Sequence, residues 1–150
     1  MGKKFIVIII FAVLASVVMI KFFSGQGEPP EAFIKINGKD IALERGSYQW
    51  TSRYMLSYST EIADAASPNQ MAEHMEAVGI KQKSVGEITF SDDSNPKIHA
   101  YIWSSSERSK ALTMKNNKLI LPTEQGKHVI EVESIWKKGN ASYVFVAETQ

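Results

Sequence analysis

Histidine is the side chain here with the widest chemical use, since it can act as base, acid or metal ligand. Three histidines occur, His74, His99 and His128, and none has a second ligand at metal-binding spacing such as H-E-x-x-H. His74 and Glu76 form the H-x-E of a zinc deaminase motif, but that chemistry needs a P-C-x-x-C partner and the chain contains no cysteine. We therefore expect no metal site. The absence of cysteine also excludes disulfides and a cysteine nucleophile.

Two polar stretches hold clustered oxygen and hydroxyl groups. The first, SDDSN at 91–95, lacks the spaced carboxylates of an EF-hand loop and is interpreted as a solvated acidic turn. The second, SSSERSK at 104–110, has no G-x-S-x-G or S-x-x-K motif and is interpreted as a polar hairpin loop. An S-x-x-K at 94–97 contains Pro96, where the lactamase motif needs a helical turn. The sequence therefore predicts no catalytic residue, no cofactor and no enzymatic activity.

Aromatic side chains are the remaining candidates for a site. Trp50 and Trp136 are predicted to lie in the core, where the tryptophans of sandwich domains are usually found. Tyr101 and Trp103 alternate with the apolar residues of KIHAYIW, so they share the opposite face of that strand. Aromatic anchors concentrate binding energy, and these two residues are the predicted partner-binding site.

An apolar run near the N-terminus would fix where such a site is displayed. Residues 5–23 include fourteen Phe, Ile, Val or Leu residues, and as a helix they would span about 28 Å, close to the thickness of a bilayer core. Lys3 and Lys4 precede the run and favour a cytoplasmic N-terminus. The sequence predicts a cytoplasmic stub at 1–4, a transmembrane helix at 5–23 and a cell-membrane protein with its C-terminal domain outside.

The same run also fits the core of a signal peptide. Gly25-Gln26-Gly27 offers a small-x-small cleavage site, and cleavage near Gly27 would release a secreted protein. The bulky Phe22-Phe23 pair and the length of the run favour the retained anchor. Residues 24–31, with Pro29-Pro30, are predicted to be a linker, and residues 32–150 the extracytoplasmic domain.

The outer domain has the pattern of an antiparallel β protein. FIKI, Asn37-Gly38 and KDIAL predict a hairpin, and GSYQW, EITF, KIHAYIW and KLIL are further strands. GKHVIEVESIW and ASYVFVAE flank KKGN and form the clearest hairpin, with Glu131 and Glu133 on a solvated face. The second of these strands is apolar on both faces and is predicted to be central.

One segment has a helical pattern instead. Ser67, Pro68 and Gln70 form a capping box with proline at the first helical position. Met71 and later apolar residues follow at helical spacing, so a helix of about eleven residues ending near Gly79 is predicted. The predicted fold is mainly β: an antiparallel Ig-like β-sandwich with one short helix, behind a single N-terminal transmembrane helix.

Two motifs give the chain a resemblance to a protein family. Gly46, Tyr48 and Trp50 form G-[ST]-Y-x-W. A closing pattern follows at Pro122, Gly126, Trp136, Gly139, Tyr143 and Phe145. The chain thereby resembles uncharacterised extracytoplasmic proteins of Gram-positive, spore-forming bacteria over about 119 residues. That resemblance implies an Ig-like sandwich behind a lipid or membrane anchor, and it supplies no established activity.

The charge of the domain and its predicted anchor together limit the classes of function that fit this sequence. Residues 31–150 carry 14 Lys and Arg against 15 Asp and Glu, which gives no electrostatic case for nucleic acid. The leading hypothesis is a membrane-tethered binding or accessory module whose partner is an envelope protein or a cell-wall component. The alternative is a proteinase inhibitor, secreted or on the surface, that presents the 104–110 loop. A hydrolase with an unrecognised site is the least favoured class.

Overall fold

The computed structural model describes residues 27–54 and 57–150, and that part of the chain forms β-strands and one short helix. The elements in chain order are β1 (Ala32–Ile36), β2 (Lys39–Ala42), β3 (Glu44–Tyr54), β4 (Ser57–Ala63), α1 (Pro68–Ala72), β5 (Val78–Ile80), β6 (Val85–Phe90), β7 (Lys97–Ser104), β8 (Glu107–Leu112), β9 (Met114–Lys115), β10 (Lys118–Ile120), β11 (Gly126–Trp136) and β12 (Gly139–Thr149). The prediction of a mainly β domain with one short helix is confirmed.

The strands form two sheets. The small sheet has the order β2-β1-β6-β10-β9, and the large sheet has the order β4-β3-β12-β11-β7-β8. Strand β5 adds to the large sheet by parallel pairing with the end of β12, and the other described pairs are antiparallel. Both sheets contribute buried side chains to one core, an arrangement consistent with a β-sandwich. Strand β12 lies between β3 and β11, as its two apolar faces predict.

The core follows from the alternation of side chains along each strand. In the small sheet, Ile34, Ile88 and Leu119 are at most 1% exposed, while their neighbours in sequence face outward. In the large sheet, Val132 and Phe145 are equally buried. Burial of each such side chain stabilises the fold by about 1.5–3 kcal/mol. The core therefore holds both sheets together without disulfides.

Both predicted hairpins are present, and their turns differ. Asn37 and Gly38 have φ angles of 51° and 80°, as a two-residue turn with both central residues at positive φ requires. In the C-terminal hairpin the turn itself is Lys137-Lys138, because Trp136 pairs directly with Gly139. Gly139, with φ 156°, is the first residue of β12 rather than part of the turn.

The predicted helix is much shorter than its sequence pattern indicates. The capping box of Ser67 and Gln70 is present and Pro68 opens the helix, but α1 ends at Ala72 with Glu73 as its C-cap. Val78, the last apolar residue of the helical pattern, instead lies in β5, which buries Ile80 and pairs with Ala147–Thr149 of β12. A further turn of exposed helix would add little stability on its own. Residues 78–80 instead gain backbone pairing with the central strand β12. The prediction of an eleven-residue helix is therefore wrong.

The predicted membrane segment lies outside the described residues. Between 27 and 54 and between 57 and 150, no helix is both long and apolar enough to cross a bilayer. The cytoplasmic stub at 1–4, the span at 5–23 and the start of the linker at 24–26 stay predictions.

The last residues of the predicted linker pack against the domain. Pro29 is buried, and Arg45 donates from Nη1 to its carbonyl oxygen at 2.7 Å. Nη2 of the same guanidinium contacts the Glu28 carboxylate at 2.9 Å. The hydroxyl of Tyr143, in the middle of β12, donates to the Pro30 carbonyl at 2.6 Å. The chain therefore enters the domain along a path fixed by side chains of β3 and β12.

Burial of Tyr143 predicts a specific loss of stability in alkali. Burial raises the pKa of its phenol well above the ordinary value of 10.0. Above pH 10 the unfolded chain loses that proton while the folded chain keeps it, so the free energy of unfolding falls by about 1.4 kcal/mol per pH unit. Tyr143→Phe is expected to remove this part of the pH dependence, measured by urea unfolding between pH 8 and 11. Tyr58→Phe is the control, because Tyr58 is 73% exposed; equal slopes in both variants would contradict the assignment.

Candidate functional site

Tyr101 and Trp103 lie on the face of the large sheet that points away from the small sheet. Along β7, Ala100 enters the core at 2% exposure, and its neighbours project to the opposite side, as the alternation predicts. On that outer face Tyr101 pairs across the strands with Glu131, and Trp103 pairs with Val129. Both aromatic residues are half-buried, so they are not a bare surface patch.

A buried carboxylate organises this face. Glu131 is only 5% exposed, although the sequence predicts it to be solvated like its neighbour Glu133, and that prediction is wrong. Its Oε2 accepts from Trp103 Nε1 at 2.6 Å and from Arg108 Nε at 2.8 Å, and its Oε1 accepts from Arg108 Nη2 at 2.9 Å. A charge is buried at low cost only when it is paired and hydrogen-bonded in this way. Apolar Val144 lies beside it on β12 and is fully buried.

Arg108 connects the carboxylate to the aromatic residues. It reaches in from β8, lies 4.2 Å from the centre of the Tyr101 ring and also contacts Glu133 at 3.2 Å. Its hydrogen bond to Glu131 raises the pKa of the guanidinium above its ordinary value, against the lowering effect of burial. Arg108 therefore stays charged, and its planar group holds Tyr101 and Glu131 in one fixed arrangement.

The segment 65–72, which contains α1, crosses the outer face as a strap. At one end the Ala65 N–H donates to Ser47 Oγ on β3 at 2.9 Å. Further along, the amide of Asn69 donates to the carbonyl oxygen of Ser105, in the turn between β7 and β8. Within the strap, Pro68 is buried. The strap is thus tied to both sides of the large sheet and closes part of its outer face.

A recess of about 310 Å³, here called the outer cleft, lies between the strap and the large sheet. Its lining comprises Ser47, residues 65–68, Met71, Trp103, Arg108, Glu131, Glu133 and residues 140–142. Two carboxylates and one guanidinium leave it with one excess negative charge. Met71 of α1 is half-buried on the cleft wall. Aromatic, methionine and arginine side chains in one recess are typical of a recognition site.

The groups that could react in the outer cleft are engaged with one another. Ser142 Oγ donates to the carbonyl oxygen of Ser47 at 3.3 Å, and both oxygens of Glu131 are occupied. Among residues 27–54 and 57–150, no three His, Cys, Asp or Glu side chains are grouped as a metal site. The arrangement presents shape, an aromatic edge and charge, which are the means of binding a partner.

The stretch predicted to serve as an inhibitor loop is mostly strand. Only Ser105 and Ser106 form the turn between β7 and β8, with Ser105 at φ 57°. The residues that follow pair with β7 as β8, and Arg108 points into the outer cleft. A turn this short offers no protruding segment for the active site of a proteinase.

The other candidate residues lie away from the outer cleft. Trp50 is 5% exposed, and its ring meets that of Trp136 edge-on at 5.3 Å, so the core interpretation of Trp50 is confirmed. Trp136 is half-buried and donates to Ser94 Oγ at 2.8 Å, which anchors the acidic 91–95 turn to the domain. His128 contacts the Glu124 carbonyl at 2.7 Å, and each of these contacts is structural in kind.

Sequence reasoning found two of the side chains of this site and missed three. Tyr101 and Trp103 follow from alternation within one strand, whereas Arg108, Glu131 and Glu133 join them only through the pairing of β7 with β8 and β11. The sequence did contain a signal for Arg108, because it lies five residues after Trp103 across a predicted hairpin turn. No family model, curated protein or solved structure matched the chain.

Proposed function

We propose that this protein is a membrane-tethered extracytoplasmic module that binds an envelope protein or a cell-wall component and has no catalytic activity of its own. In this proposal an Ig-like β-sandwich stands outside the cell behind a single-pass helix at 5–23. The observation that carries the proposal is the outer cleft, a recess in which Glu131 holds Trp103 and Arg108 in place, with Tyr101 packed against Arg108 beside it. The resemblance to anchored extracytoplasmic proteins supports the same reading.

The composition of the outer cleft favours a protein partner over a small solute. Tryptophan, tyrosine and arginine are the residue types that dominate binding energy at protein interfaces. Here their orientations are set before binding, because Arg108 is bonded to Glu131 and lies against the Tyr101 ring. A partner would therefore lose little of its binding energy in ordering these side chains. The excess negative charge favours a segment that presents a lysine or arginine.

The docked N-terminal segment supports a short tether. The chain is fixed to the domain from Glu28 onward, so four residues, 24–27, would separate the domain from the end of the predicted span at Phe23. Four extended residues reach about 14 Å. A domain held that close to the lipid surface would meet partners that belong to the membrane or lie against it.

The first test locates the protein. Membrane and medium fractions are compared, with the intact mass of each species measured. The proposal expects full-length protein in alkali-washed membranes, with the domain digestible from outside. A species beginning at Glu28 in the medium would overturn the tether, while leaving the outer cleft to be tested as the site of a secreted binder.

The second test identifies what lies at the outer cleft. A photo-crosslinking amino acid at Asn140, which lines the cleft and is exposed, is expected to give a discrete adduct in whole cells. The same label at Lys118, exposed on the small sheet, is the control and is expected to give none of that adduct. Trp103→Ala, which removes the aromatic side chain that lines the cleft, is expected to lower the adduct at least tenfold, since loss of one anchor costs more than about 1.4 kcal/mol. Adducts of equal yield at both positions would overturn the cleft as the binding site.

A further inference from the structure

Four strands lie at the ends of the strand orders of the two sheets, and three of them carry the features that block pairing with another chain. Strand β5, which pairs with β12 outside those orders, has only three residues. In the small sheet, β2 has four residues, two of them charged, and β9 has two residues. In the large sheet, β8 carries Glu107, Arg108 and Lys110, and its pairing with β7 is interrupted between Ile102 and Trp103. Short length, charge and irregular pairing are the usual protections of a sheet edge.

The fourth edge strand, β4, has none of these protections. It runs for seven residues, Ser57–Ala63, with one charged side chain, Glu61, and no proline or lysine. Its pairing with β3 is regular from Tyr48 to Tyr54. Tyr58 and Ile62 are 73% and 67% exposed, more than any other large apolar residue among those described. A long, regular edge strand with exposed apolar side chains is a template for another strand.

The outer half of this edge is also poorly supported within one chain. Strand β12 pairs with β3 only from Glu44 to Trp50, and the Thr51 N–H still donates to the Lys138 carbonyl oxygen. Beyond Thr51 the strands β3 and β4 form a two-stranded ribbon. A ribbon of two strands is marginally stable in water, and a third strand is needed to make it independently stable. Added pairing on β4 would supply that third strand.

We propose that β4 pairs with β4 of a second copy of this chain, antiparallel and centred on Thr60. Residues directly opposite in an antiparallel pair share a face, so centring on Thr60 places Tyr58 against Ile62 of the second copy, twice by symmetry. It also places Ser59 against Glu61, and Thr60 against itself. The large sheets of the two copies then form one continuous sheet.

The sequence of β4 selects this register over its neighbours. Centring on Glu61 would set two carboxylates directly opposite each other, which is destabilising. Centring on Ser59 would leave Ile62 without a partner inside β4. Centring on Thr60 pairs every residue of the strand, gives two aromatic–aliphatic contacts, and sets Glu61 against a serine. The Glu61 carboxylate meanwhile accepts from Tyr48 of its own chain at 2.8 Å.

A cysteine scan of the full chain in detergent tests the register, because the chain has no cysteine of its own. Directly opposite residues have Cα atoms about 4.5–5.5 Å apart, within disulfide range, whereas diagonal neighbours at about 7–8 Å are not. Thr60→Cys is therefore expected to give a disulfide-linked dimer with copper phenanthroline, and Ser59→Cys or Glu61→Cys alone is not. Ser59→Cys and Glu61→Cys in one chain are expected to cross-link again.

Two paired variants test the apolar contacts in the Thr60→Cys background. Tyr58→Lys with Ile62→Lys sets like charges opposite each other and is expected to lower the dimer yield at least tenfold. Tyr58→Glu with Ile62→Lys sets opposite charges there and is expected to restore much of it. Both positions are exposed, so these variants keep the fold.

Ser109→Cys, exposed on the protected edge strand β8, is the control for random collision. Three outcomes would each overturn the proposal. The first is an equal dimer yield for cysteine at positions 60, 59, 61 and 109. The others are the absence of a dimer for Thr60→Cys, and a disulfide between Thr60→Cys and a different protein. No residue of β4 lines the outer cleft. The result of the cysteine scan therefore does not depend on the result of the cross-linking experiment at Asn140, and either proposal can fail without the other.

Discussion

Gly139→Ala is expected to destabilise the domain by about 3–5 kcal/mol, the largest effect of a glycine-to-alanine substitution at any glycine between 27 and 150. Gly139 opens β12 with φ 156°, and it pairs directly with Trp50 of β3. A Cβ at this position would contact the carbonyl oxygen of Gln49, with the Trp50 Cα only 3.0 Å away. These neighbours are backbone atoms, so no rotation of a side chain relieves the contact. The start of the β3–β12 pairing would have to separate.

Gly38→Ala separates the steric effect from the conformational one. Gly38 also has a positive φ, 80°, but a Cβ there meets nothing within 4 Å. Its replacement is expected to cost only the left-handed conformation, about 1–2 kcal/mol. The stability of both variants is measured by urea unfolding, with tryptophan fluorescence as the signal. All three tryptophans of the chain, Trp50, Trp103 and Trp136, lie in the domain. Equal losses in the two variants would show that the approach to Gln49 relaxes without cost.

The sequence predicts those parts of this fold that depend on local chemistry. The Asn37-Gly38 turn is specified by two residues that tolerate positive φ, and its strands follow from alternation on either side. The N-terminus of α1 is specified by Ser67 and Gln70, which bond each other's backbone. In each case the stabilising contacts lie within four residues of each other, so no knowledge of the tertiary structure is needed.

The parts that sequence reasoning missed depend on contacts between distant segments. Val78 belongs to the helical pattern that is predicted to end near Gly79, yet residues 78–80 form β5 because the end of β12 offers them a pairing edge. Glu131 has the spacing of a solvated residue, yet it is buried by Arg108 and Trp103 from two other strands. Neither outcome can be read from periodicity, because the partner lies more than twenty residues away. The candidate site is of this kind, which is why only its aromatic members were predicted.

Arg108→Met is expected to destabilise the domain by about 2–4 kcal/mol, because it leaves the Glu131 carboxylate buried with Trp103 as its remaining partner. This loss of stability is smaller than that for a fully buried ion pair, because the Arg108 side chain is 37% exposed and water screens part of its interaction with Glu131. Lys110→Met on the same strand is the matched control. Its contact with Glu124 is 3.5 Å long between side chains that are 62% and 76% exposed, and its loss should change stability by less than about 0.5 kcal/mol.

A double-mutant cycle distinguishes the ion pair from simple packing. Glu131→Leu alone should cost less than Arg108→Met, because Arg108 keeps Glu133 at 3.2 Å and access to solvent. The double variant is expected to recover about 2 kcal/mol of the summed losses, since no unpaired charge remains buried. Additive losses would mean that the two residues act only through their volume. The same double variant also tests the outer cleft. If it is stable yet loses the Asn140 adduct, the Arg108–Glu131 pair takes part in partner binding, whereas retention of the adduct would assign the pair to the fold.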